Sequence, residues 1–538
     1  MAALVAPVAI GEQGPDDSRL VPRSRAALQR AEGMFDLAFG QRLNPWRHLG
    51  AIAFYLFLIV AATGIYVYAA FDTSISGDYA SVEHITNNGW PLAGIARSLH
   101  RYASDAFAVI VLVHLAHEWT GHHARGFRRF SWLSGVPLLW LVYASGIGGY
   151  RLVWDQLAQF SLIATAEWLD WLPLFGEPLV RNFIAGGNIS DRFFSLLIFL
   201  HIGIPLLLLT GMWVHIQRIS RPETNPPAAI AFGLFAALPA LALLMPATSD
   251  TPADLMTVPA VLGLDWNYLP IHPLLYAGSP ATLWAMVGVL TLLLALLPWL
   301  PPLDRPKAAR VDLDNCNGCG RCFDDCRYAA ITLQPRTDGK PLPRQAVVDP
   351  SLCAGCGFCA GASPSSTPFR SAPDLVSGID MPQQPINARA TELERAIASL
   401  RGETRIVVFG CRSGADIRSV SGAHAASVSM ICTGMLPPSF VEYALRAGAD
   451  GVLVTGCRYG DCEFRFGNRW TEEHLAAQRE PHLRTAFADD RMRVAWLGPT
   501  DAAALAVELD RFRDDLATLP ASERTGHLRP KRVEAAHG

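Results

Sequence analysis

Four histidines stand in two apolar stretches: His100 and His114 in one, His201 and His215 in the other, each pair 14 residues apart. In an α-helix that interval is about 21 Å of rise and close to four turns, so each pair lies on one face at two depths. Two such helices side by side set His100 opposite His201 and His114 opposite His215. Neutral imidazole binds iron strongly without adding charge to a low-dielectric slab, so the pattern suits two six-coordinate iron sites, each with a porphyrin between two imidazoles. One intramembrane His would read first as a helix–helix hydrogen bond. Four at a duplicated spacing do not, and a proton relay needs no matched interval. No CxxCH occurs, so any haem is non-covalent. His117, His122 and His123 read as interfacial.

Glycines repeat the interval. Gly50 and Gly64 are 14 apart, as are Gly135 and Gly149. Glycine pairs in membrane helices often serve packing alone, but a flat macrocycle among four helices needs close backbone approach at two depths.

All 11 cysteines lie between Cys316 and Cys462. The run Cys316-x2-Cys319-x2-Cys322-x3-Cys326 is an iron–sulfur signal, because three thiolates on a tight loop cup one cluster while the fourth reaches another. A second run, Cys353-x2-Cys356-x2-Cys359, has Ser363 followed by Pro at its fourth position. Seven thiolates in two such runs are more than structural zinc uses. Cys411, Cys432 and Cys457 each end an apolar run, and Cys462 follows closely. Gathered at one sheet edge, these four suit one two-iron cluster or a zinc ion.

The elements that carry these residues follow from composition. Hydrophobic residues are 51% of the 538, Gly adds 44 more residues, and charged residues are only 17%, which excludes a disordered chain and an ordinary soluble enzyme. With 45 Lys+Arg against 48 Asp+Glu, nothing points to nucleic acid. Apolar segments over 50–71, 94–118, 133–153, 193–217, 226–246 and 281–300 predict about six membrane spans of roughly 20 residues each. Arg19, Arg23, Arg25, Arg30, Arg42 and Arg47 precede the first span, and Arg125, Arg128 and Arg129 separate the second and third. Arg218 and Arg221 follow the fourth; Arg305, Lys307 and Arg310 follow the sixth. The other connections are acidic or mixed, so both termini and every cysteine are expected on the cytoplasmic side of the inner membrane of a bacterium. No signal-peptide pattern is expected in residues 1–45. Beyond Pro301-Pro302, TRIVVFGC, SVSMICTG, DGVLVTGC and RVAWLG read as four buried parallel strands of a small α/β domain, and 387–401 as a short helix.

Residues 46–217 resemble the four-helix haem core of the cytochrome b family of quinol-oxidising complexes, through GYRLVWDQ (149–156), NNGW followed by RSLH, and a Pro four residues after His201. Val153 departs from it, standing where the family usually has Pro. The resemblance implies two haem b groups, a haem propionate met by Arg97, and quinone as substrate. It also implies an outer quinone site at Leu264-Asp265-Trp266-Asn267-Tyr268, where Asp265 would accept a quinol proton and Tyr268 would assist. A short acidic loop there is equally expected to be plain surface. An inner site beside His114 and His215 has no sequence signature.

The segment from Cys316 resembles two-cluster bacterial ferredoxins, in which each fourth residue ligates the partner cluster. It implies one 4Fe-4S cluster held by Cys353, Cys356, Cys359 and Cys326. The other group, Cys316, Cys319 and Cys322 with Ser363, is open between a 4Fe-4S cluster completed by an unusual ligand, a 3Fe-4S cluster and an empty relic. Residues 405–470 resemble the small iron–sulfur subunit of methyl-viologen-reducing hydrogenase, implying one 2Fe-2S cluster on Cys411, Cys432, Cys457 and Cys462 and a flavoprotein or heterodisulfide-reductase-like partner.

The expected organisation is a multidomain chain. It comprises an N-terminal segment (1–45), an all-α cytochrome b-like transmembrane core (46–223), two further spans (224–303), and a ferredoxin-like domain (304–369). A linker with a helix (370–402), a small parallel α/β domain (403–520) and a polar tail (521–538) follow. No nucleotide-binding loop is present, so a cytoplasmic flavoprotein partner must supply two-electron chemistry. The expected function is electron transfer between that partner and quinone, as the quinone-reactive subunit of an oxidoreductase complex reducing quinone. Quinol oxidation toward a low-potential acceptor stays open, as do a non-catalytic anchor and a homodimer. The expected order places the α/β cysteines at the partner, the ferredoxin-like clusters next, and the haems last.

Overall fold

The computed structural model describes residues 23–40, 42–88, 91–120, 128–174, 178–179, 189–217, 223–259, 261–299, 307–484 and 489–520. His122, His123, Arg19, Arg125, Arg218, Arg221, Arg305, the Gly89-Trp90 part of NNGW and the tail 521–538 lie outside them.

Five helices are long and apolar enough to cross a membrane: Pro45–Ala70, Leu92–Thr120, Arg129–Val153, Asp191–Ile216 and Pro280–Trp299. The fifth of the six expected spans forms a shorter helix, Ala228–Leu244, of 17 residues. At 1.5 Å per residue it rises about 26 Å, short of the roughly 30 Å of hydrocarbon. It stops where the chain is drawn across the end of the second span. There Tyr102 donates to the carbonyl of Met245 (2.5 Å) and Ser98 accepts from the amide of Ala247 (3.0 Å).

The helices turn large apolar side chains outward, among them Phe199, Leu207, Phe232 and Leu244, each more than 60% exposed. In water such a surface would be unstable; in lipid it is matched. The chain is a multi-pass membrane protein. The first span packs on the second and the third on the fourth. Between them lies a core of Ile52, Leu56, Phe57, Phe107, Leu208 and Tyr268.

Several helices were not anticipated, two of them 15 and 17 residues long. Gln156–Asp170 begins on the GYRLVWDQ stretch, where the Asp155 carboxylate caps it by accepting from the amide of Ala158 (2.8 Å). The other carboxylate oxygen accepts from the amide of Asp250 (3.0 Å), fixing the long loop after the shorter helix. In the N-terminal segment, Arg23–Phe39 is a helix that reaches the end of the second span, where Glu32 meets His117 at 2.9 Å.

The soluble part is one packed body. A hairpin of β1 (Ile331–Pro335) and β2 (Arg344–Val348), with Ile331 opposite Val348, lies between the two cysteine runs. Each run ends in a five-residue helix, Arg321–Asp325 or Phe358–Ala362. Gly318 needs its positive φ of 68°, and a Cβ there would strike the carbonyl of Arg344. β3 (Ile406–Cys411), β4 (Ala425–Met430), β5 (Gly451–Gly456) and β6 (Met492–Trp496) form a parallel sheet in the order β4-β3-β5-β6. β3 and β5 are buried along their whole length, which is why they read as unbroken apolar runs.

The stretch expected as a linker is not one. Ala372, Leu375, Ile379, Met381, Ile386 and Leu393 join the core that the dicluster segment and the sheet share. A second expectation also changes. Sequence adjacency set the ferredoxin-like segment next to the membrane and the α/β domain beyond it. In the fold, the α/β loop carrying Cys462 grips the bundle: Arg128 donates to the carbonyl of Glu463 (2.5 Å) and Arg47 faces Asp461 (3.6 Å).

Phe409 in β3 is fully buried. Phe409→Ala should lower the unfolding free energy of the soluble part by about 3–5 kcal/mol. In limited proteolysis of the full-length chain, cleavage should then move first into residues 403–520.

Candidate metal centres

The bundle brings His100 of the second span against His201 of the fourth. The rings of His100 and His201 lie 6.2 Å apart, centre to centre. That gap accepts one metal ion with bonds of about 2 Å on either side. Each ring is held by its Nδ1. That of His100 lies 2.9 Å from the carbonyl of Val60 and 3.3 Å from the Thr63 hydroxyl. That of His201 lies 3.2 Å from the carbonyl of Ser145. At the other level His215 Nδ1 lies 3.0 Å from the Ser134 hydroxyl. A donor bond at Nδ1 fixes the tautomer that leaves Nε2 as the ligand atom. Val60, Thr63, Ser134 and Ser145 were missed in the sequence, because nothing in their type marks them among apolar neighbours.

The glycines sit against these rings one for one. A Cβ on Gly64 would lie 2.9 Å from His100 Cε1, and one on Gly149 3.0 Å from His201 Cε1. On Gly135 it would lie 3.2 Å from His215 Cε1, and on Gly50 3.6 Å from His114 Cε1. Any larger residue at Gly64, Gly149 or Gly135 would push an imidazole out of place. The cradles fit two groups, each gripped between imidazoles.

Arg97 is engaged within the protein: it donates to the hydroxyls of Thr86 and Ser249 (2.7 Å to the latter) and faces Glu83 at 3.7 Å. Asp265 is not plain surface. It is buried, 3.0 Å from Arg101, takes the Tyr150 hydroxyl at 2.5 Å, and caps the amides of Asn267 and Tyr268 (2.9 and 2.5 Å). Tyr268 is buried as well and donates to the carbonyl of Ser104 (2.7 Å). His272 is equally buried, 3.0 Å from the Thr165 hydroxyl that Arg151 also reaches at 2.5 Å, and was missed because a lone His carries no spacing signal.

Two small hollows of similar size receive the two cysteine runs. The first is lined by Cys316, Cys319 and Cys322 together with Ser363 and Pro364. The second is lined by Cys326 with Cys353, Cys356 and Cys359. The fourth residue of each run thus crosses to the other hollow. Burial, with Cys319 and Cys316 nearby, pushes the Cys322 thiol up to about 12, and burial also raises Cys326, Cys356 and Cys359. Thiols held this way ionise once a cation compensates them, which is the chemistry of a metal-ligand set.

The remaining cysteines meet at the C-terminal edge of the sheet. Cys411 ends β3, Cys457 directly follows β5, and Cys432 lies two residues beyond β4. Sγ of Cys411 is 3.4 Å from that of Cys457, and Sγ of Cys432 is 4.0 Å from that of Cys462. Cys462 accepts from the amide of Gly467 (3.3 Å), and hydrogen bonds from Cys432 and Cys457 hold it below its ordinary value. A Cβ on Gly467 would collide with the Cys432 sulfur, so the cradle needs glycine there.

A further group of donor atoms, from Glu32, His117 and Asp461, lies within 4.8 Å. Arg47, 2.9 Å from Asp36, and Arg458, 3.6 Å from Asp36, stand in the same patch, so protein cations balance these carboxylates.

Comparison with known proteins accounts for the three parts. The family "Cytochrome b/b6/petB" matches residues 34–222, "4Fe-4S dicluster domain" 315–366, and "Methyl-viologen-reducing hydrogenase, delta subunit" 406–520. An N-terminal cytochrome b-like domain is fused to a dicluster domain and a delta-subunit-like domain. Cytochrome b of Rhodospirillum rubrum is 25% identical over 296 residues, covering 48% of this chain and 71% of its own length. Cytochrome b6 of Porphyra purpurea is 28% identical over 192 residues, covering 34% of this chain and 86% of its own. Among solved structures, a hyperthermophilic respiratory Complex III is 21% identical with a TM-score of 0.39, over 48% of this chain and 76% of that one. The family matches support haem b and iron–sulfur groups as cofactors, and an electron-transfer role linking the cytochrome b-like domain to the iron–sulfur domains.

Cys319 is exposed, while Cys322, Cys359 and the four sheet-edge cysteines are buried. In chelator-stripped, still folded protein, an alkylating reagent should label Cys319 at least about tenfold faster than any of those six, since access favours it. Peptide mass mapping against time would show it; early labelling at Cys411 or Cys462 would contradict this burial.

Proposed function

We propose that this chain is the membrane subunit of an oxidoreductase complex, transferring electrons between a cytoplasmic flavoprotein or heterodisulfide-reductase-like partner and the quinone pool, in the direction of quinone reduction. One observation carries the reading: paired histidines, each ring against its own glycine, at two levels of a bundle joined directly to a body with three thiolate groups. Both termini and the soluble body would lie on the cytoplasmic side, as the placement of arginines favours.

His100 with His201, and His114 with His215, would each hold one haem b, seated against Gly64, Gly149, Gly50 and Gly135. Cys326, Cys353, Cys356 and Cys359 would hold one 4Fe-4S cluster. Cys316, Cys319, Cys322 and Ser363 would hold a second cluster with an oxygen ligand, and the four sheet-edge cysteines a 2Fe-2S cluster. Bound there, these groups supply one-electron carriers. The histidine Nδ1 contacts orient the ligand rings, and the apolar bundle excludes water. Asp265, fixed by Arg101 and Tyr150, would take or return a proton at its carboxylate beside a quinone, with Tyr268 shaping the pocket. Arg97, three residues before His100, would reach a haem propionate only by leaving its bonds to Thr86 and Ser249.

The optical and paramagnetic spectra of the purified protein, with haem, iron and sulfide quantified, test every centre together. His114→Ala should remove the inner haem and leave most of the outer, and Gly149→Leu should do the reverse; a variant that loses neither haem would sink the assignment. Asp265→Asn should slow haem reduction by a quinol analogue at least about tenfold, read by stopped-flow absorbance. Ser363→Cys should alter the paramagnetic signal of one cluster alone.

A further inference from the structure

In sequence the dicluster segment follows the last span and the delta-like domain comes after it. The contacts run in another order. Among the described residues, a conspicuous grip of the soluble body on the bundle is the loop from Arg458 to Gly467. Arg458 bonds Asp501 at 2.5 Å within its own domain and faces Asp36 of the N-terminal helix at 3.6 Å. Arg42 lies over the Tyr459 ring at 5.2 Å. Asp461 meets Arg47, and Glu463 offers its carbonyl to Arg128, which in turn faces Glu118 at 3.6 Å. Glu118 is four residues, about one helical turn, beyond His114.

The same loop holds Cys462, and its next turn is unusual. Arg465 is held at φ 65°, a conformation that costs a non-glycine residue free energy and is kept where surroundings require it. Its amide donates to the carbonyl of Cys462 at 2.8 Å, and its guanidinium feels the charges of Arg128 and of Glu118, one turn beyond His114. Two residues later the Gly467 amide bonds the Cys462 sulfur.

On its other side the loop touches the dicluster segment. Tyr328, two residues past Cys326, donates to the carbonyl of Phe464 at 2.8 Å, and the Phe358 ring beside Cys359 is 6.4 Å from that of Phe464. A Cβ on Gly357 would meet the Met435 side chain at 2.7 Å, so the Cys432 turn and the second cysteine run are in van der Waals contact. The first hollow, with exposed Cys319, lies beyond these contacts.

We propose that the four-cysteine group of the delta-like domain, not the dicluster segment, is the soluble centre next to the His114/His215 level, and that Arg465 is the charge between them that sets the potential of the inner level. The order from surface to membrane is then the Cys316 group, the Cys326/Cys353 group, the sheet-edge group and the inner histidines. The inference rests on the functional reading above. Electrons leave the reduced flavoprotein partner, which is oxidised, and two of them with two protons reduce each quinone to quinol. Arg465 is a positioning residue here: its cation favours the electron-rich state of the inner site by simple attraction.

Two measurements on the full-length, detergent-solubilised protein test this. In the wild type, the paramagnetic signal of the two-iron cluster should relax several-fold faster when the inner haem is oxidised than when it is reduced. The signal of the Cys316 cluster should not change. In Arg465→Gln, optical redox titration should give a lower midpoint potential for the inner haem and an unchanged outer one, with Arg465→Lys restoring most of the difference. Faster relaxation of the Cys316 signal instead, or equal shifts of both haems in a variant with full haem and iron content, would overturn the order. If Arg465→Gln does not fold, the wild-type relaxation measurement decides alone. A protein with no haem spectrum would refute the underlying function, and that is seen before either test begins.

Discussion

Each of the four histidine rings stands where a glycine removes the side chain that would otherwise occupy its place. Gly64 and Gly149 leave about 3 Å between a hypothetical Cβ and the facing ring, and Gly135 little more, so the helices approach to the limit that backbone alone permits. The bundle is built around that approach. The first span packs on the second and the third on the fourth because Gly50 and Gly64 must meet His114 and His100, and Gly135 and Gly149 must meet His215 and His201. Protein interiors are dense enough that a methyl group at such a contact displaces a ring instead of being absorbed.

Joining this bundle to a soluble body sets a second constraint. The junction buries Arg47 almost completely, with Asp36, Asp461, Arg458, Glu32 and His117 around it. Taking charges out of water costs more than one ion pair returns, so such a contact is retained only where several groups satisfy one another. What it provides is registry: a loop with one cysteine ligand position is held at a fixed place against one helix end. An apolar contact of the same area would allow sliding.

The soluble body solves its own problem by sharing a core. Two five-residue helices and a hairpin of two five-residue strands are too small to bury a core alone, and the dicluster segment leans on the sheet through Phe358, Met435 and Phe440. That is why the stretch 370–402, polar enough to read as a linker, is packed inside. It also brings two thiolate hollows and the sheet-edge cysteines around one shared core.

The sequence by itself determined whatever depends on local period. Fourteen residues is close to a whole number of helical turns, so the shared faces of His100 with His114 and Gly50 with Gly64 follow from helix geometry. Apolar runs ending in Cys411, Cys432 and Cys457 likewise announce strands whose ends converge. The tertiary structure alone decided contacts between residues far apart in the chain. It buried Asp265 against Arg101 and Tyr150, shortened the helix Ala228–Leu244 by pinning Met245 to Tyr102, supplied Thr63 and Ser134 behind the rings, and set the loop of Cys462 against Arg128. None of these pairs shares a period, and each exists because packing of the whole chain brings two surfaces together. Order along the chain is covalent, but the order of the centres in space is set by which surfaces bury each other.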